Sequence, residues 1–533
     1  MPPTLSLPTF IARWQSSRLS ERSAAQSHFI DLCRLLGQPT PAEADPAGSF
    51  YTFEKGLKKT GGGDGFADVW YKGHFAWEYK GKDKKLADAY QQLLKYREDL
   101  ENPPLLVVCD FNRFEVHTNF TSTAKRVYSF ALPDLADPTP MPGVGLSPLG
   151  VLSALFTNPE RLRPDRTSAQ VTEAAAREFA TLAESLRRYG EHPERAAHFL
   201  VRLLFCLFAQ DIGLLPKGIF TRLVESARHN PVEFSRRLKL LFQAMESGGL
   251  FGVDEIAHFD GDLFDDAEVL TLASDDMEVL ARACKVDWAS VEPAIFGTLF
   301  ERSLDPSKRS QLGAHYTSRE DIELIVEPVL MAPLRREWAE VQEKAAELIA
   351  RRDAATGPAR SRHHEALQRL LFGFSSRVAD IQVLDPACGS GNFLYVALKK
   401  LMDLEKEALT FAERNEVQSF YPQVGPEQLH GIETNPYAHQ LAQIVVWIGY
   451  LQWFDENGFR KPPDPVLRPL DNVREMDAIL DYDGEGRPIG ARVAEGGRDR
   501  RQPAFPRGQA AAHRAGRHLR GGPVRAVRRK GPA

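Results

Sequence analysis

One stretch constrains this chain more than any other. The apolar run Ile381–Leu384 turns through Asp385-Pro386-Ala387-Cys388-Gly389-Ser390-Gly391-Asn392-Phe393 into a helical pattern. A short strand, a glycine-bearing turn and a helix in succession form one unit of an open α/β sheet, where ligands bind beyond the carboxyl ends of the strands. Glycines let the backbone approach a ligand closely, and a helix N-terminus offers free N–H groups to its polar atoms. Leu429–Glu433 is a second short strand, ending in an acid that can accept from both hydroxyls of a ribose. Asn435 and Pro436 then open the next helix as N-cap and first-turn residue. Read on its residues alone, the loop is either a ligand loop or a tight structural turn.

A dinucleotide fold would carry GxGxxG with its acid about 20 residues further on. Here the acid lies 48 residues after Asp385, and no Lys-Ser/Thr pair closes the loop as in a phosphate-binding loop. Nicotinamide dinucleotides and nucleoside triphosphates are therefore disfavoured. The string DPACGSGNFL resembles the first motif of class I S-adenosylmethionine-dependent DNA adenine methyltransferases. That resemblance implies that Asp385, Pro386, Ala387, Cys388, Gly389, Gly391 and Phe393 surround the methionine part of S-adenosyl-L-methionine and that Glu433 holds its ribose. It also implies that Asp477 contacts the adenine amino group, and that Gly313–Thr317, through Tyr316 and Thr317, closes over the cofactor carboxylate. For Asp477 an isolated surface position after a loop is an equal alternative. A bulky residue at Gly391 is expected to block backbone approach.

At 533 residues the chain is long enough for three or four domains. Its 43% hydrophobic and 26% charged content is that of a soluble protein, and no apolar run approaches the roughly 18–20 residues of a membrane span. Five scattered cysteines without metal-ligand spacing, and an N-terminus without a secretion pattern, fit a reduced cytoplasm. Residues 1–135 read as mixed α/β, with β-type runs at Phe66–Tyr71, His74–Lys80, Leu105–Cys109 and Phe114–Thr118, and a helix over about Lys84–Glu101; the Pro- and Gly-rich Leu132–Leu149 follows as a linker that closes a first domain over residues 1–150. Residues 151–285 carry helical spacing and read as an all-α spacer, and residues 286–490 hold the glycine loop. Residues 491–533 contain 12 Lys and Arg against Glu495 and Asp499, with no sustained apolar periodicity. They are expected to be disordered and unable to finish a sheet.

Within the first segment, Asp68, Glu78 and Lys80 stand in GFADVWYKGHFAWEYKGK. Alternation along a strand puts Glu78 and Lys80 on one face and Phe75, Trp77 and Tyr79 on the other. A three-residue hairpin loop, Lys72-Gly73-His74, sets Asp68 opposite Glu78, whereas a two-residue loop pairs it with Trp77 and separates the carboxylates. Two such carboxylates can bind a divalent metal such as Mg2+ through oxygen, with a lysine to position or activate the attacking water. A solvated polar hairpin face is the alternative. The D-x9-E-x-K spacing resembles the PD-(D/E)xK nuclease core, and Gln92-Leu93-Leu94-Lys95-Tyr96 resembles its QxxxY accessory motif. The resemblance implies Asp68, Glu78, Lys80 and Gln92 as catalytic residues and Asp68 and Glu78 as metal ligands.

The order of these segments, with FADVWYKGHFAWEYKGK, YQQLLKYREDLENPPLLVVCD and GIETNPYAHQLAQIVVWIGYLQW, is similar to the MmeI-like (Type IIL/IIG) single-chain restriction-modification enzymes over about residues 10–490. The family implies a multidomain α/β chain: a PD-(D/E)xK-like nuclease, an all-α spacer and a partial Rossmann-like methyltransferase acting on double-stranded DNA. It implies Mg-dependent cleavage and N6-adenine methylation, both directed by a C-terminal recognition domain. Two departures stand out: there is no recognition domain, and no Asn/Asp-Pro-Pro-Phe/Tyr motif to grip an extruded adenine. Codons for Arg498–Gln509 can be chosen so that a one-base shift reads VIVGNPPFLGG, which supplies that motif and points to a frameshift near Ile489–Ala491. A basic arm for DNA is the other reading of the tail. The alternative function is a catalytically dead cofactor- or DNA-binding remnant, or a subunit completed by a separately encoded C-terminal half.

Overall fold

The structure, a computed structural model, describes residues 5–17, 21–55, 67–81, 85–259, 262–264, 266–293, 297, 317, 319–418, 421–460, 470–482, 488–490 and 525–527. The chain divides into two compact units, Met1–Val171 with Phe454–Lys461, and Thr172–Trp453 with Pro462–Ala533.

In the first unit six strands, β1 (Tyr51–Lys55), β2 (Ala67–Tyr71), β3 (Phe75–Tyr79), β4 (Leu105–Cys109), β5 (Arg113–Thr118) and β6 (Val127–Ala131), pair in chain order. Only β3 and β4 run parallel. A parallel pair needs a crossover, which α3 (Leu86–Lys95) supplies, following α1 (Leu7–Gln15) and α2 (Glu21–Leu36). Strand alternation then divides the core. Phe75, Trp77, Tyr79 and Val107 pack with Phe10 and Trp14 of α1, Phe29 of α2 and Val151 and Leu155 of α4 (Pro148–Thr157). On the other face Trp70, Ala76, Leu106 and Val108 pack against Leu86, Ala89 and Leu93 of α3.

Three details differ from the sequence reading, each for a local reason. β1 and β6 lie at the two edges of the sheet and keep polar residues partly exposed, so their apolar signal is weak. The helix expected to reach Glu101 stops at Lys95. Beyond it Glu101 and Asn102 take positive φ, a left-handed reversal ahead of Pro103 and Pro104, and the Trp70 indole donates to the Leu100 carbonyl at 2.7 Å. The boundary expected at 150 falls inside α4, whose apolar side chains complete the first unit's core.

Helix α5 (Ser168–Arg188) opens in the last residues of the first unit and runs on into the second, which continues with α6 (Pro193–Asp211), α7 (Ile219–Ser226), α8 (Pro231–Ser247) and α9 (Ser274–Ala283). The all-α expectation needs one correction. β7 (Gly249–Phe251) and β8 (Asp254–Ile256) form a short antiparallel hairpin, closed by the left-handed Gly252. Helix α10 (Arg319–Val326) and the long pair α11 (Ala332–Ala354) and α12 (Gly357–Ala379) precede the sheet. That sheet holds β9 (Gln382–Asp385), β10 (Leu429–Glu433), β11 (Val473–Glu475) and a late strand, with α13 (Asn392–Arg414) after β9 and α14 (Pro436–Asn457) after β10. β9, β10 and β11 are parallel, in spatial order β11-β10-β9. A small hairpin, β12 (Leu480–Tyr482) with β13 (Pro488–Gly490), follows β11.

The tail does contribute to this sheet, contrary to the sequence expectation. β14 (Arg525–Val527) pairs antiparallel along the outer edge of β9. An open strand edge presents unpaired N–H and C=O groups, and three residues from almost any segment can satisfy them. Residues 491–524, which include the stretch whose codons allow a one-base shift, lie outside the described residues.

Buried Glu405 of α13 ties the layers together. It accepts from Ser375 Oγ of α12 at 2.7 Å, from the Gln423 amide at 2.8 Å and from the Val424 amide at 2.9 Å. The Glu405→Gln variant turns an amide group toward these donors, and is expected to cost about 1–3 kcal/mol in urea denaturation of the full chain.

Candidate functional sites

In the first unit the register answers the question the sequence left open. Tyr71 pairs with Phe75 and Val69 with Trp77 across a Lys72-Gly73-His74 loop whose glycine is left-handed, so the next pair outward is Asp68 with Glu78. Asp68 Oδ2 accepts from the Tyr79 amide at 2.7 Å. The Lys80 ammonium donates to Glu78 Oε1 at 3.2 Å and to Gln92 Oε1 of α3 at 3.5 Å. The crossover helix thus reaches back over the strand end that carries the acids. Burial pushes the Glu78 carboxyl up to about 8, with the charge of Asp68 adding to it and Lys80 opposing. Behind the strand, the Tyr79 hydroxyl is bonded to His28 Nδ1 at 2.8 Å, and burial lowers that imidazole to about 3.

Two facing carboxylates, one held against ionisation chiefly by burial and further by its neighbour, suit a hard divalent cation, which takes oxygen ligands and retains several waters. Among the described residues no group of three or more His, Cys, Asp or Glu is arranged around a metal position. Any ion at Asp68 and Glu78 would therefore draw the rest of its shell from backbone oxygens, water or a ligand.

In the second unit the parallel register aligns Gly431 with Asp385, so β9 and β10 deliver the glycine loop and Glu433 side by side. Asp385 is buried and accepts from the Ala387 amide at 3.1 Å. Burial pushes its carboxyl up to about 6, the Ala387 N–H opposing and the charge of Glu433 adding. The Cys388 amide donates to the Ile432 carbonyl at 3.0 Å, and burial moves its thiol well up. Glu433 Oε2 accepts from the Gly389 amide at 2.9 Å, while Oε1 accepts from Thr434 and Asn435 at 2.9 and 2.8 Å. Pro386 is half-buried, Ala387 exposed and Phe393 buried.

The remaining residues implied by the family resemblance fall differently. Thr317 is half-buried just ahead of α10, whereas Tyr316 and Gly313–His315 lie outside the described residues. Asp477 is exposed, follows a residue whose amide bonds the Glu433 carbonyl, and accepts from the Ile479 and Leu480 amides at 2.7 and 3.1 Å. Its carboxylate thus already closes a local turn, which is the alternative the sequence left open for it.

Sequence reasoning missed the glycines that seat the loop. A Cβ at Gly431 would lie 2.8 Å from Cys388 Sγ and 3.1 Å from Leu394. One at Gly297 would overlap the Ser390 hydroxyl. Gly391 is itself packed, since its Cβ would come within 2.9 Å of Ala442 Cα on α14, whereas nothing lies within 4 Å of a Cβ at Gly389. The side of the loop with room for a further group is therefore at half-buried Gly389, and Gly391 is where the loop meets the helix behind it. A glycine inside a strand pattern, as at Gly431, is the one sequence signal that could have marked such close approach.

Comparison with known proteins follows the same division. Residues 5–189 match the family model described as MmeI, N-terminal domain, residues 194–264 that of MmeI, helicase spacer domain, and residues 360–472 that of MmeI, DNA-methyltransferase domain. DNA methyltransferase A of Bacillus subtilis is 27% identical over 293 residues, 53% of this chain and 31% of its own. A relative from Methanocaldococcus jannaschii, named as a candidate type II restriction enzyme and methyltransferase, is 22% identical over 304 residues, 49% of this chain and 25% of its own. The chain thus spans a third or less of the length of these curated relatives. The solved structure of the Type IIL restriction-modification enzyme MmeI in complex with DNA is 26% identical, with a TM-score of 0.47, covering 58% of this chain and 40% of that one.

The two loop glycines should respond differently to substitution. Gly389→Ala is expected to cost about 1–2 kcal/mol, from the left-handed backbone alone. Gly391→Ala adds a collision with Ala442 and is expected to cost more, so its effect on ligand binding would be confounded with folding. Urea midpoints of the two variants decide between this and the simpler view of Gly391 as the ligand-facing glycine.

Proposed function

The chain belongs to the MmeI-like family of restriction-modification enzymes, and from that premise we propose that it carries the cofactor half of an adenine-N6 DNA methyltransferase joined to a Mg2+-dependent PD-(D/E)xK endonuclease. The observation that carries the reading is the pairing of two sites on one chain. An acid-acid-lysine cluster sits at a strand end in one unit, and a glycine loop beside an acidic strand end sits in the other.

For methylation, S-adenosyl-L-methionine supplies the methyl group when bound. The open side of the loop at Gly389 would hold its methionine part, and Glu433 would hold the ribose hydroxyls, for which its carboxylate would have to leave the Gly389 amide. That exchange makes Glu433 a gate as well as a ligand, because its resting partners are the loop and the N-terminus of α14. Asp477 would give up its turn to reach an adenine amino group. In a doubly wound sheet the next parallel strand lies along the far edge of β9, at the switch point. Here that edge holds antiparallel β14, and the sequence offers no Asn/Asp-Pro-Pro-Phe/Tyr motif. The chain as written is therefore expected to bind the cofactor without completing adenine transfer, which fits a frame shift near Ile489–Ala491 or a partner polypeptide that supplies the rest. Double-stranded DNA is the substrate implied for both activities.

For cleavage, a divalent ion at Asp68 and Glu78 would stabilise charge on the scissile phosphate. Lys80, held between Glu78 and Gln92, orients a water with its ammonium, and Gln92 fixes that ammonium from α3. Lys80→Ala should remove Mg2+-dependent nicking of duplex DNA by at least about a hundredfold, while leaving the unfolding midpoint within about 0.5 kcal/mol. Nicking that survives in this variant would count against the assignment.

The raised Glu78 carboxyl adds a pH signature. A group whose folded value, about 8, exceeds its ordinary value of 4.5 contributes stability that is full below the lower value and lost as pH rises through the upper one. The metal-free chain should therefore lose stability between these limits. Mg2+, which needs the ionised acid, should bind more tightly as pH climbs through the same window. Thermal shift with and without Mg2+, in the full chain and in Glu78→Gln, tests this. A Mg2+ response independent of pH would contradict the paired-carboxylate site.

A further inference from the structure

The face of the first unit's sheet that holds Asp68, Glu78 and Lys80 carries a cation on each flank. Strand register sets the rows at this end of the sheet. Lys55 of β1 pairs with Ala67 of β2, and the amide of Asp110, one residue past β4, donates to the Arg113 carbonyl at 3.2 Å. Lys80 extends β3, its amide donating to the Cys109 carbonyl at 2.9 Å, so the parallel register sets it beside Asp110. Lys55, Lys80 and Arg113 thus stand within one residue of a common row, on β1, just past β3 and on β5. With neighbouring strands about 4.8 Å apart, Lys55 and Arg113 each lie roughly 10 Å from Lys80 along the sheet end.

Both flanking side chains are turned to the face of the acids. Arg113 and Glu115 alternate onto one face of β5, with Arg113 Nε 3.8 Å from Glu115 Oε1. Glu115 pairs with Val108, which pairs with Glu78, and Val108 packs against α3. His117, next on that face, bonds Glu115 at 3.3 Å and stacks on Tyr90 of α3, with ring centroids 3.8 Å apart. Lys55 reaches the same face through a break in alternation. Phe53 packs in the opposite core, and a regular strand would send Lys55 the same way. Glu54, between them, takes φ 52°, a strained conformation for a residue with a side chain, and its Oε1 accepts from Gln26 of α2 at 3.2 Å. The Lys55 ammonium then lies 3.6 Å from the centroid of Trp70, whose ring packs on the α3 face. Among the described residues Lys55 has no carboxylate partner, and the half-exposed Arg113 guanidinium has only its long contact with Glu115.

We propose that Lys55 and Arg113 hold DNA phosphates on either side of the cleaved bond, so that the backbone of that strand crosses the end of the sheet from β1 to β5. The proposal rests on the reading of Asp68, Glu78 and Lys80 as a nuclease site. It goes beyond that reading by assigning the path of the substrate and two residues that touch it away from the reacting phosphate. A DNA strand carries one phosphate per ~3.4 Å of its axis, so each cation meets the backbone about three phosphates from the centre. Between the flanks, Asp68 and Glu78 repel a phosphate until a divalent ion covers them, which ties the backbone grip to the metal. Trp70 prepares Lys55 for this part, because an ammonium resting on an indole face keeps its charge and has already lost rotamer freedom before DNA arrives. Contacts of this kind strengthen binding without selecting a sequence.

Binding is separated from cutting by working in a Lys80→Ala background with Mg2+, where nicking is expected to be lost. Fluorescence anisotropy of a labelled DNA duplex on the full chain, over a series of KCl concentrations, gives the affinity and its salt dependence. Lys55→Met keeps an apolar stem on Trp70 while removing the charge, and Arg113→Gln removes the other charge from an exposed position. Each should weaken binding about three- to tenfold and lower the slope of log affinity against log salt by about one, and the two together by about two. Lys55→Arg keeps the charge and should bind within about twofold of the background. Thermal unfolding checks that each variant is folded, and Arg113→Gln carries the comparison if Lys55→Met is not. With Lys80 restored, the same substitutions should raise KM for Mg2+-dependent nicking more than they lower kcat. A duplex bound with the background's salt slope by both Lys55→Met and Arg113→Gln overturns the backbone path while leaving the nuclease site in place. A wild-type chain without Mg2+-dependent nicking removes the nuclease reading, and this proposal with it.

Discussion

Close packing at glycine positions is the constraint on which the second unit depends. Gly391 lies against Ala442, Gly431 leaves room for Cys388 and Gly297 leaves room for Ser390, so the loop between β9 and α13 is gripped from three sides by positions that tolerate no side chain. The grip fixes where the loop amides point. Glu433, delivered by the neighbouring parallel strand, can then bridge the Gly389 amide and the Thr434 and Asn435 amides just ahead of α14 with one carboxylate. A loop seated in this way is preorganised, and little ordering entropy remains to be lost when a ligand takes the place of Glu433.

The first unit reaches its site by a different route, through strand register. A three-residue loop with one left-handed glycine decides that Asp68 faces Glu78, and a shift of one residue would turn one of the acids into the aromatic core of Phe75, Trp77 and Tyr79. Because β3 is parallel to β4, a helix must cross between them, and that crossover places Gln92 within reach of Lys80. The cluster is thus a consequence of topology. Its electrostatics follow from burial: Glu78 is nearly enclosed beside another acid, which is why its proton is held and why a cation is the natural relief.

How much of this could be read beforehand depended on whether the signal was local. The Asp68–Glu78 register and the loop beginning at Asp385 were legible because turn length, alternation and strand-glycine-helix order are written within a few adjacent residues. The edge strands β1 and β6 were not, since half of each faces polar surroundings and neither makes an apolar run. β14 could not be anticipated, because its pairing depends on an open edge of β9 far away in the chain. The partners of Gly391 and Gly297 are contacts between distant segments, and single residues carry no mark of them. Asp477 shows the converse: the sequence allowed both a ligand role and an isolated surface position after a loop, and its exposed carboxylate accepts from the Ile479 and Leu480 amides.

The central claim is that S-adenosylmethionine occupies the loop at Gly389 and displaces Glu433 from it. Amide hydrogen exchange, resolved by residue and compared with and without S-adenosylmethionine, tests this directly. The account predicts slower exchange across Asp385–Phe393, together with a change at Thr434 and Asn435 as Glu433 leaves their amides, and no change around Asp68 and Glu78. Protection that appears elsewhere in the chain while Gly389, Thr434 and Asn435 stay as they were would contradict it.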